Sequence, residues 1–471
     1  MNSKKRIITA TATAVVMCTF MATGCGDEET GGGGGIPMTK SANSAGQAAS
    51  TAQPVTITFE ESMPGKLGVE LQKLTNEFEK QNPNIHVQLI FNGSYSTLEQ
   101  KLTAAIASNT EPTVAQVEET WETNYVQNGL IQPLDSVIPK STQNDLIPIW
   151  RQDSSYNGKL MSVPFNKSAY VLYYNVDDLK KAGISSPPKT WSELEQDAIK
   201  IQKEGIPGLG LQGNYYTFEM LLKQAGGQIL NASNTKAAFN SSAGLTALNF
   251  MKRLVDEHAA KVIGANEYLS DGFNTNAYAM DLDTVAAMSF INNPNIHWKV
   301  APLPKGVTYA VPTAGLNLVI FNAATPAQKA AAAKYLNFLI SVPSTIEWAE
   351  QTGYLPVRQS ALTNPEWTSY IKTHPNQGVA PNELKYAYFS PRLASLYSAE
   401  QEMTTQIGNM LAGRQTPQVT LQNMANITNN ALAQGKLGPV TRLSRSRRPI
   451  VGRLLSYWAP CAMEDATGAP P

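Results

Sequence analysis

The sequence is short of cysteine, and none of its cysteines lies where a folded body needs one. The 471 residues include three, Cys18, Cys25 and Cys461, all near the ends. The long stretch between Cys25 and Cys461 therefore excludes a stabilising disulfide, a cysteine-ligated zinc and a cysteine nucleophile. The four histidines are scattered, with no i, i+4 pair on a helix, so we expect no metal site and no cofactor.

A surplus of positive charge is also missing. The chain has 37 basic and 37 acidic residues, and ten of the basic ones lie in the two ends, 1–54 and 436–471. Those ends hold five acids, which leaves 27 basic and 32 acidic residues in the body, 55–435. Nucleic-acid binding needs clustered lysine and arginine, so the composition excludes a nucleic-acid partner.

Long hydrophobic runs are limited to the N-terminus. Basic residues 4–6 precede an apolar run at 7–20, which is typical of a signal peptide and too short for a good transmembrane span. Residues 22–25, Ala-Thr-Gly-Cys, resemble the lipobox of bacterial lipoproteins. This resemblance predicts a signal peptide over 1–24 and acylation of Cys25; the alternative is an ordinary secretory signal beside an unmodified cysteine.

The two segments that flank the body differ from it in composition. Residues 25–54 are rich in Gly, Ser and Ala and predict a flexible tether after the acylated cysteine. The expected location is therefore outside the cytoplasm, on the outer face of the cell membrane. Residues 436–471 are rich in Arg and Pro without helical or strand period, which predicts an unstructured basic tail; a partner-binding tail is the alternative.

Motifs for bond-breaking chemistry are scarce. Residues 208–213, Gly-Leu-Gly-Leu-Gln-Gly, fit G-x-G-x-x-G, but no apolar strand precedes them, so we expect a loop and no dinucleotide site. The sequence has no G-x-S-x-G element. Acid pairs at Glu118-Glu119 and at Asp281/Asp283 leave open a cell-surface carbohydrate-active hydrolase that uses paired carboxylates. Such pairs are more often solvated or accept hydrogen bonds from a ligand.

Hydrophobic periodicity predicts an α/β body. Residues 55–62 alternate as a strand, 66–84 carry apolar residues at helical spacing, and 85–91 form a second strand. A strand, a helix and a strand of these lengths make a βαβ unit in a helix-covered parallel sheet. Further strands are expected at 113–117, 169–175, 298–304 and 315–321, and helices at 189–205 and 325–340. The body of about 380 residues is too long for one core and suits two lobes.

Aromatic residues recur beside hydroxyls, amides and acids, as a sugar site requires. Sugar faces stack on aromatic rings, while sugar hydroxyls need oriented donors and acceptors. Trp191 and Tyr335 lie within predicted helices and are expected to belong to the core. The other candidates are Trp121, Tyr125, Tyr170, Tyr173, Tyr174, Tyr215, Tyr216, Tyr278, Tyr309 and Tyr354.

Several stretches together carry a family resemblance. They include "FEESMPGKLGVELQKLTNEFEKQNPNIHV", "VPFNKSAYVLYYNVDDLKKAGISSPPKTWSELEQDA" and "FLISVPSTIEWAEQTGYLPVRQSAL". The body resembles the extracellular solute-binding proteins of bacterial ABC importers, in the group that binds sugars. "SMPGKLG", "NGSYSTLEQKL" and "TGYLPV" make it most similar to the glycerol-3-phosphate-binding branch of that group.

The resemblance implies a two-lobed periplasmic-binding-protein-like fold in which each lobe is a helix-covered sheet and the ligand cleft lies between the lobes. It implies one lobe over 55–165 plus 302–340 and the other over 166–301 plus 341–435. It also implies a monomer without catalytic activity. Such a protein captures a sugar, a polyol or glycerol-3-phosphate and delivers it to the permease subunits of the importer.

The resemblance also implies ligand contacts. Tyr95, Glu119, Ser168 and Tyr354 match the motifs of the branch, with Thr284 and a turn at Ala314-Gly315. Arg392 in "SPRL" is the implied counter-charge for a phosphate. Where the branch has a tryptophan pair this chain has Tyr215 and Tyr216, and Asp281 and Asp283 fall in a stretch that lines the cleft in the family. Acids there would repel a phosphate and suit a neutral sugar or polyol. An adhesin or scaffold, which would bind no small molecule, remains a further alternative.

Overall fold

The computed structural model describes residues 53–264 and 267–435. Within these ranges strands and helices alternate, and each kind is numbered in chain order. The strands are β1 (Val55–Glu61), β2 (Ile85–Phe91), β3 (Val114–Val117), β4 (Ser155–Tyr156), β5 (Lys159–Leu160), β6 (Val163–Asn175), β7 (Leu209–Gln212), β8 (Ala260–Ile263), β9 (Met280–Thr284), β10 (Trp298–Ala301), β11 (Val311–Ile320) and β12 (Ala387–Tyr388).

The helices cover the sheets and connect the strands. They are α1 (Lys66–Gln81), α2 (Tyr95–Ser108), α3 (Glu119–Gln127), α4 (Lys140–Asp145), α5 (Pro148–Asp153), α6 (Val176–Lys181), α7 (Trp191–Gln202), α8 (Tyr215–Gln224), α9 (Ser242–Asp256), α10 (Leu269–Asn274), α11 (Pro326–Leu339), α12 (Val342–Thr352), α13 (Gln359–Leu362), α14 (Pro365–Thr373), α15 (Val379–Glu383), α16 (Leu396–Leu411) and α17 (Pro417–Gly435). No described helix is long and apolar enough to cross a membrane.

Three predictions fall on parts of the chain that the structure does not describe. The signal peptide over 1–24, the acylated Cys25 with nearly all of its tether, and the basic tail at 436–471 lie outside the described residues.

The first βαβ unit is confirmed. β1 and β2 pair in parallel, with Val55 opposite Ile85, and α1 connects them. α1 buries the apolar stripe that its period predicts, because Leu67, Leu71, Leu74 and Phe78 all face the core. Burying that stripe against the sheet supplies the hydrophobic free energy that holds this helix on the strands.

Two sheets share one long strand. The first has the order β2-β1-β3-β11-β6, and the second continues from β6 through β9 and β7 to β8. β6 pairs with β11 through residues 163–169 and with β9 through residues 170–174, both antiparallel. β10 lies on the other side of β6, opposite residues 172–175. The chain therefore forms two α/β lobes joined through β6, as predicted.

Most of the remaining chain forms helices that pack beside one of the two sheets. α1 and α12 pack together beside the first sheet, where Lys73 of α1 forms an ion pair with Glu347 of α12. α8, α9, α16 and α17 pack together beside the second sheet. The residue limits assigned to each lobe stay a prediction.

Two helices begin with capping boxes. At α7 the Thr190 hydroxyl accepts the Glu193 backbone N–H while the Glu193 carboxylate accepts the Thr190 backbone N–H. At α11 Thr325 caps the helix in the same way and Pro326 occupies the first turn. These caps satisfy backbone donors that have no partner within the helix.

The loop predicted at 208–213 is wrong, because residues 209–212 form the strand β7. Leu209 and Leu211 are buried in the second sheet, and β7 pairs in parallel with both β8 and β9. A Cβ atom on Gly210 would lie 2.5 Å from the Tyr278 ring. Gly210 therefore allows close packing within a strand, which a count of apolar residues does not reveal.

The predicted turn at Ala314-Gly315 is also wrong, because both residues lie inside β11. Gly315 has φ +104° and pairs with Lys167 next to a β-bulge at Leu316/Asn317. A Cβ atom on Gly315 would lie 1.8 Å from the Asn166 carbonyl oxygen. Glycine is therefore required where β11 passes β6 at the junction of the lobes.

Candidate ligand-binding cleft

The predicted tyrosines Tyr95 and Tyr354 meet at the strand junction. Tyr95 is the first residue of α2. Tyr354 follows α12, whose C-terminus is capped by Gly353 with φ +77°. The side-chain amide of Asn166 in β6 donates to the Tyr95 hydroxyl at 3.2 Å and to the Tyr354 hydroxyl at 3.4 Å. The side-chain oxygen Oδ1 of Asn166 accepts a hydrogen bond from the side-chain amide of Gln116 in β3 at 3.1 Å. Asn166 thus holds both phenols at one end of the cleft.

Glu119 belongs to a buried ionic network beside those tyrosines. Lys167, only 1% exposed, approaches Asp153 Oδ2 at 2.8 Å and Glu119 Oε1 at 3.4 Å. Asn317 of β11 donates to Asp153 at 3.2 Å and to Glu122 at 2.8 Å. Burial alone would lower the pKa of Lys167, but the surrounding carboxylates outweigh it and raise that pKa. Glu119 and Glu122 lie in the first turn of α3, where the helix dipole favours acids.

Five glutamates from both lobes form what we call the interlobe acidic cluster. Its members are Glu99, Glu118, Glu119, Glu219 and Glu400. Burial, followed by repulsion from Glu119 and Glu99, raises the pKa of Glu118 to about 8. Burial, followed by repulsion from Glu118 and Glu219, raises the pKa of Glu400 well above its ordinary value. Carboxylates carried by α2 and α3 thus repel carboxylates carried by α8 and α16.

Hydroxyl groups surround this cluster. The Tyr397 hydroxyl donates to Glu99 Oε2 at 2.7 Å, and the Tyr216 hydroxyl donates to Glu400 Oε2 at 3.4 Å. Ser390 donates to Glu219 Oε2 at 2.5 Å. Because Tyr397 belongs to α16 and Glu99 to α2, their hydrogen bond joins the two lobes across the cleft.

Arg392 also links the lobes, through backbone and ring contacts. Its guanidinium donates to the Asp153 backbone carbonyl and lies 4.2 Å from the Tyr156 ring centroid and 4.9 Å from that of Phe389. This is a cation–π arrangement that uses the face of the guanidinium. The predicted phosphate counter-charge is therefore engaged by the carbonyl of α5 and by aromatic rings.

The remaining predicted ligand contacts lie on three different elements: β6, β9 and α8. Ser168 of β6 pairs with Ala314 of β11, next to the Gly315–Lys167 pair. Thr284 ends β9 opposite Tyr170 and accepts the Tyr173 hydroxyl on its carbonyl at 2.7 Å. Tyr215 begins α8 and packs edge-on against Tyr216, with ring centroids 5.5 Å apart. These residues surround the junction and the acidic cluster.

Asp281 lies apart from the cleft residues. It is 1% exposed, and neither carboxylate oxygen has a hydrogen-bond partner among the described residues. Side chains alternate along β9, so Asp281 and Asp283 share the face opposite to Thr284. Burial, followed by repulsion from Asp283, raises the pKa of Asp281 well above its ordinary value. The structure does not bring this acid to the interlobe acidic cluster.

Some residues of the cleft have no counterpart among the predicted contacts. Glu99, Glu219 and Glu400 are far apart in the sequence, and each occurs in a helix whose pattern alone suggests an ordinary polar position. Asn166 and Lys167 stand inside the quoted "PFNKSAYVLYYN" stretch, next to Ser168. Their position in an otherwise buried strand is the signal in the sequence that marks polar residues with a specific role.

A second concave surface lies away from the cleft. A groove of about 830 Å³ runs between α1 and β2, lined among others by Met63, Val69, Leu89 and Phe91. Its polar lining residues, which include Glu77, Lys73 and Lys80, belong to one face of α1 and its approach, so the groove lacks the facing tyrosines and carboxylates of two lobes that the interlobe cleft has. The interlobe cleft is therefore the candidate for binding a polar ligand.

Two α/β lobes that share strands and enclose a cleft of tyrosines and carboxylates define the class of binding proteins with a periplasmic-type fold. Residues 73–375 match the bacterial extracellular solute-binding protein family, and the chain belongs to that family. It is a substrate-binding protein of an ABC importer, it acts outside the cytoplasm, and it is not an enzyme. The hydrolase and scaffold alternatives are thereby set aside.

Named relatives fit this assignment. The sn-glycerol-3-phosphate-binding periplasmic protein UgpB of Salmonella typhimurium is 25% identical over 408 residues, which cover 80% of this chain and 92% of that protein. The solved structure of UgpB from Mycobacterium tuberculosis with glycerophosphocholine has a TM-score of 0.74 at 23% identity, covering 81% of this chain and 99% of that one. The cyclic α-maltosyl-1,6-maltose binding protein of Arthrobacter globiformis has a TM-score of 0.71 at 23% identity, covering 81% and 100%.

Proposed function

We propose that this protein captures a sugar or polyol in the interlobe cleft and delivers it to the permease subunits of its importer. One observation carries the proposal: aromatic rings and carboxylates gather at the junction of β6 and β11, and Tyr397 of the other lobe contacts Glu99 beside them. Apolar sugar faces pack on rings, and sugar hydroxyls bind carboxylates. A ligand that contacts both lobes stabilises the closed arrangement over the open one.

Each predicted contact has a role in this proposal. Tyr95 and Tyr354 cover apolar faces of the ligand, and Glu119 accepts its hydroxyl hydrogens. Ser168 and the backbone N–H of Gly315 donate to ligand oxygens, and Thr284 and Tyr215 line the second lobe. Asp281 is not included, since it is buried on the opposite face of β9.

Glycerol-3-phosphate is the second candidate, because relatives in the same family are named for it. A phosphate would need Arg392 as its counter-charge, and Arg392 already lies against Tyr156 and the Asp153 carbonyl. The interlobe acidic cluster would also repel an anion. These two features favour the sugar or polyol over the phosphate.

A thermal-shift screen tests the ligand class. The panel contains mono- and oligosaccharides, polyols, glycerol-3-phosphate and glycerophosphocholine. We expect a sugar or polyol to raise Tm in a concentration-dependent way, since a ligand that binds only the folded state stabilises it. Stabilisation by glycerol-3-phosphate alone, abolished by Arg392→Ala, would favour the second candidate.

Two substitutions test the site itself. Glu119→Ala and Tyr354→Ala are expected to weaken binding of the ligand found by the screen by about tenfold or more, because each removes a direct contact. The exposed residues Glu402 and Tyr268 provide matched controls, Glu402→Ala and Tyr268→Ala. If both cleft variants bind like the parent protein, this assignment of the site fails.

We also propose that cleavage after Gly24 leaves Cys25 as an acylated anchor followed by the tether to residue 54. A single acyl chain binds membranes only marginally, so more than one is expected on this cysteine. Cys25→Ser should release the protein from the membrane fraction into the medium, while Cys18→Ser, in the removed signal, should not. Retention of the Cys25→Ser protein on the membrane would contradict the anchor.

The remaining organisation is proposed from packing. One lobe comprises 55–165 plus 302–340 together with α12, which packs on α1, and with α13 and α14, which pack on α12. The other comprises 166–301 with the rest of the body to 435. We propose that the protein acts as a monomer, which sedimentation equilibrium of the full chain tests directly.

A further inference from the structure

The acids of the cleft outnumber the cations that approach them. Lys167 is engaged by Asp153 and Glu119, and Arg392 by the Asp153 carbonyl and the Tyr156 ring. Lys223 lies over the Tyr388 ring, 5.2 Å from its centroid. Within residues 53–264 and 267–435, no ion pair joins Glu99, Glu118, Glu219 or Glu400 to a basic side chain.

Two of these acids also present unused acceptors. Glu219 and Glu400 are each 2% exposed, and Oε1 of each has no hydrogen-bond partner among the described residues. Both residues face Glu118 or Glu119 from the opposite lobe. A buried acceptor without a donor is costly, so a group that brings donors into this space is stabilised there. An ammonium group donates hydrogen bonds and accepts none.

Aromatic rings lie beside the same carboxylates. The Tyr216 hydroxyl contacts Glu400, the Tyr397 hydroxyl contacts Glu99, and the ring of Tyr388 already receives Lys223. Rings that flank carboxylates suit an organic cation, because its alkyl part packs on the rings while the carboxylates attract its positive charge. A neutral polyol would satisfy some acceptors and leave the repulsion between the lobes in place.

We propose that the preferred ligand of the cleft is a polyhydroxylated organic cation, such as an aminated sugar or polyol. The inference rests on the proposed function and narrows it. The hydroxyl-bearing part of the ligand packs at Tyr95, Tyr354 and Glu119. The cationic group binds among Glu118, Glu219 and Glu400, where it neutralises carboxylates of both lobes and thereby joins them. A phosphorylated polyol places its charge against the same carboxylates and is rejected.

Three probes that share a six-carbon polyol chain and differ in charge test this inference on the full chain at pH 7: N-methylglucamine, sorbitol and sorbitol-6-phosphate. Calorimetry is expected to show that N-methylglucamine binds about tenfold or more tightly than sorbitol, as one charge-assisted contact predicts, and that the phosphate shows no binding. Choline is a cation with a single hydroxyl group, so it should bind more weakly than N-methylglucamine.

The result that overturns the inference is distinct from the one that overturns the proposed function. Equal or tighter binding of sorbitol or its phosphate, or no binding of N-methylglucamine, overturns the cation preference and leaves a sugar-binding cleft intact. Failure of every sugar, polyol and amine in the wider screen to raise Tm contradicts the proposed function itself.

A matched pair of variants on one helix locates the cationic group. Glu400→Gln should weaken N-methylglucamine binding about tenfold and change sorbitol binding less than twofold, because only the ionic contact is lost. Glu402→Gln, on the exposed face of α16, should change neither. Equal losses for the amine and for sorbitol in Glu400→Gln would show a structural role and overturn this placement. A cooperative thermal unfolding transition in each variant confirms that it folds.

Discussion

Asp281 buries a carboxyl group that no described residue hydrogen-bonds. Burial and the neighbouring Asp283 raise its pKa above the ordinary value near 3.8. The unfolded chain ionises at that ordinary value, so the stability that Asp281 contributes is present below pH 4. It is lost as the pH rises toward the pKa of the folded state. At neutral pH this residue therefore opposes folding.

Asp281→Asn should remove that penalty. The free energy of unfolding in urea is expected to rise by about 1.4 kcal/mol or more at pH 7, the equivalent of one pKa unit, because the amide does not ionise, and to approach the parent value near pH 4. Asp271→Asn, at an exposed position nearby, serves as the control. An Asp281→Asn protein that is no more stable at pH 7 would show that the carboxyl is compensated.

Lys167 makes the opposite contribution, since its charge compensates Asp153 and Glu119. Lys167→Met leaves both carboxylates buried without their cation, and we expect a loss of about 3–5 kcal/mol in the free energy of unfolding. Lys180→Met, on the exposed face of α6, should change stability by less than about 0.5 kcal/mol. A loss below about 1 kcal/mol for Lys167→Met would mean that the ionic network reorganises or admits solvent.

The sequence predicts single residues of the cleft better than it predicts which other residues lie beside them. Tyr95, Glu119 and Tyr354 match motifs, and the structure brings them to one junction. The sequence does not identify Glu219 and Glu400, because an acidic residue in a helix is common and only the folded structure shows that residues of the other lobe face it. Asp281 was expected in the cleft because its stretch matches a lining segment, while the alternation of side chains along β9 turns it to the opposite face.

Helices and strands with a clear period are well predicted from the sequence. α1 buries the stripe that its spacing predicts, and α7 and α11 form within the predicted ranges and begin with capping boxes, because those signals are local. The strand β7 was missed because its glycines suggest a loop. Gly210 is required instead by the Tyr278 ring, which is a tertiary contact between elements far apart in the chain.

Gly210→Ala tests that explanation. A methyl group 2.5 Å from the Tyr278 ring forces β7 and the ring apart, and we expect a loss of about 1–3 kcal/mol in thermal or urea unfolding. Gly408→Ala in α16 is the matched control, since no atom lies within 4 Å of the added methyl. That change should stabilise the protein by about 0.5–1 kcal/mol through helix propensity. Equal stability of Gly210→Ala and the parent would refute the packing argument.

At the scale of the whole molecule, the two lobes are held by β6 and by contacts across the cleft. Some of these contacts attract the lobes to each other, and others repel them. Tyr397–Glu99 and Arg392–Asp153 draw the lobes together, while the interlobe acidic cluster pushes them apart once its members ionise. Two-lobed architecture was predictable from length and from alternating elements. The balance of charge between the lobes was not, because it depends on which side chains meet.

That balance predicts a dependence of closure on pH without added ligand. In the closed arrangement the pKa is raised to about 8 for Glu118 and to about 7 for Glu219, with burial the main cause. In an open cleft both carboxyls regain contact with water and a pKa near 4.5. The closed form therefore binds more protons, so closure is fully favoured below about pH 4.5 and is lost as the pH rises through 7 to 8. Lys167 stays charged throughout and Glu119 remains beside it, so they do not reverse this sign.

Small-angle scattering measures the effect. The radius of gyration of the full chain should increase between pH 5 and pH 9, and the double variant Glu118→Gln/Glu400→Gln should remain compact across that range because two facing carboxylates no longer ionise. Glu402→Gln should follow the parent curve, since its side chain is exposed. A radius that is independent of pH in the parent, or a double variant that expands like the parent, would show that carboxylate repulsion does not set the position of the lobes.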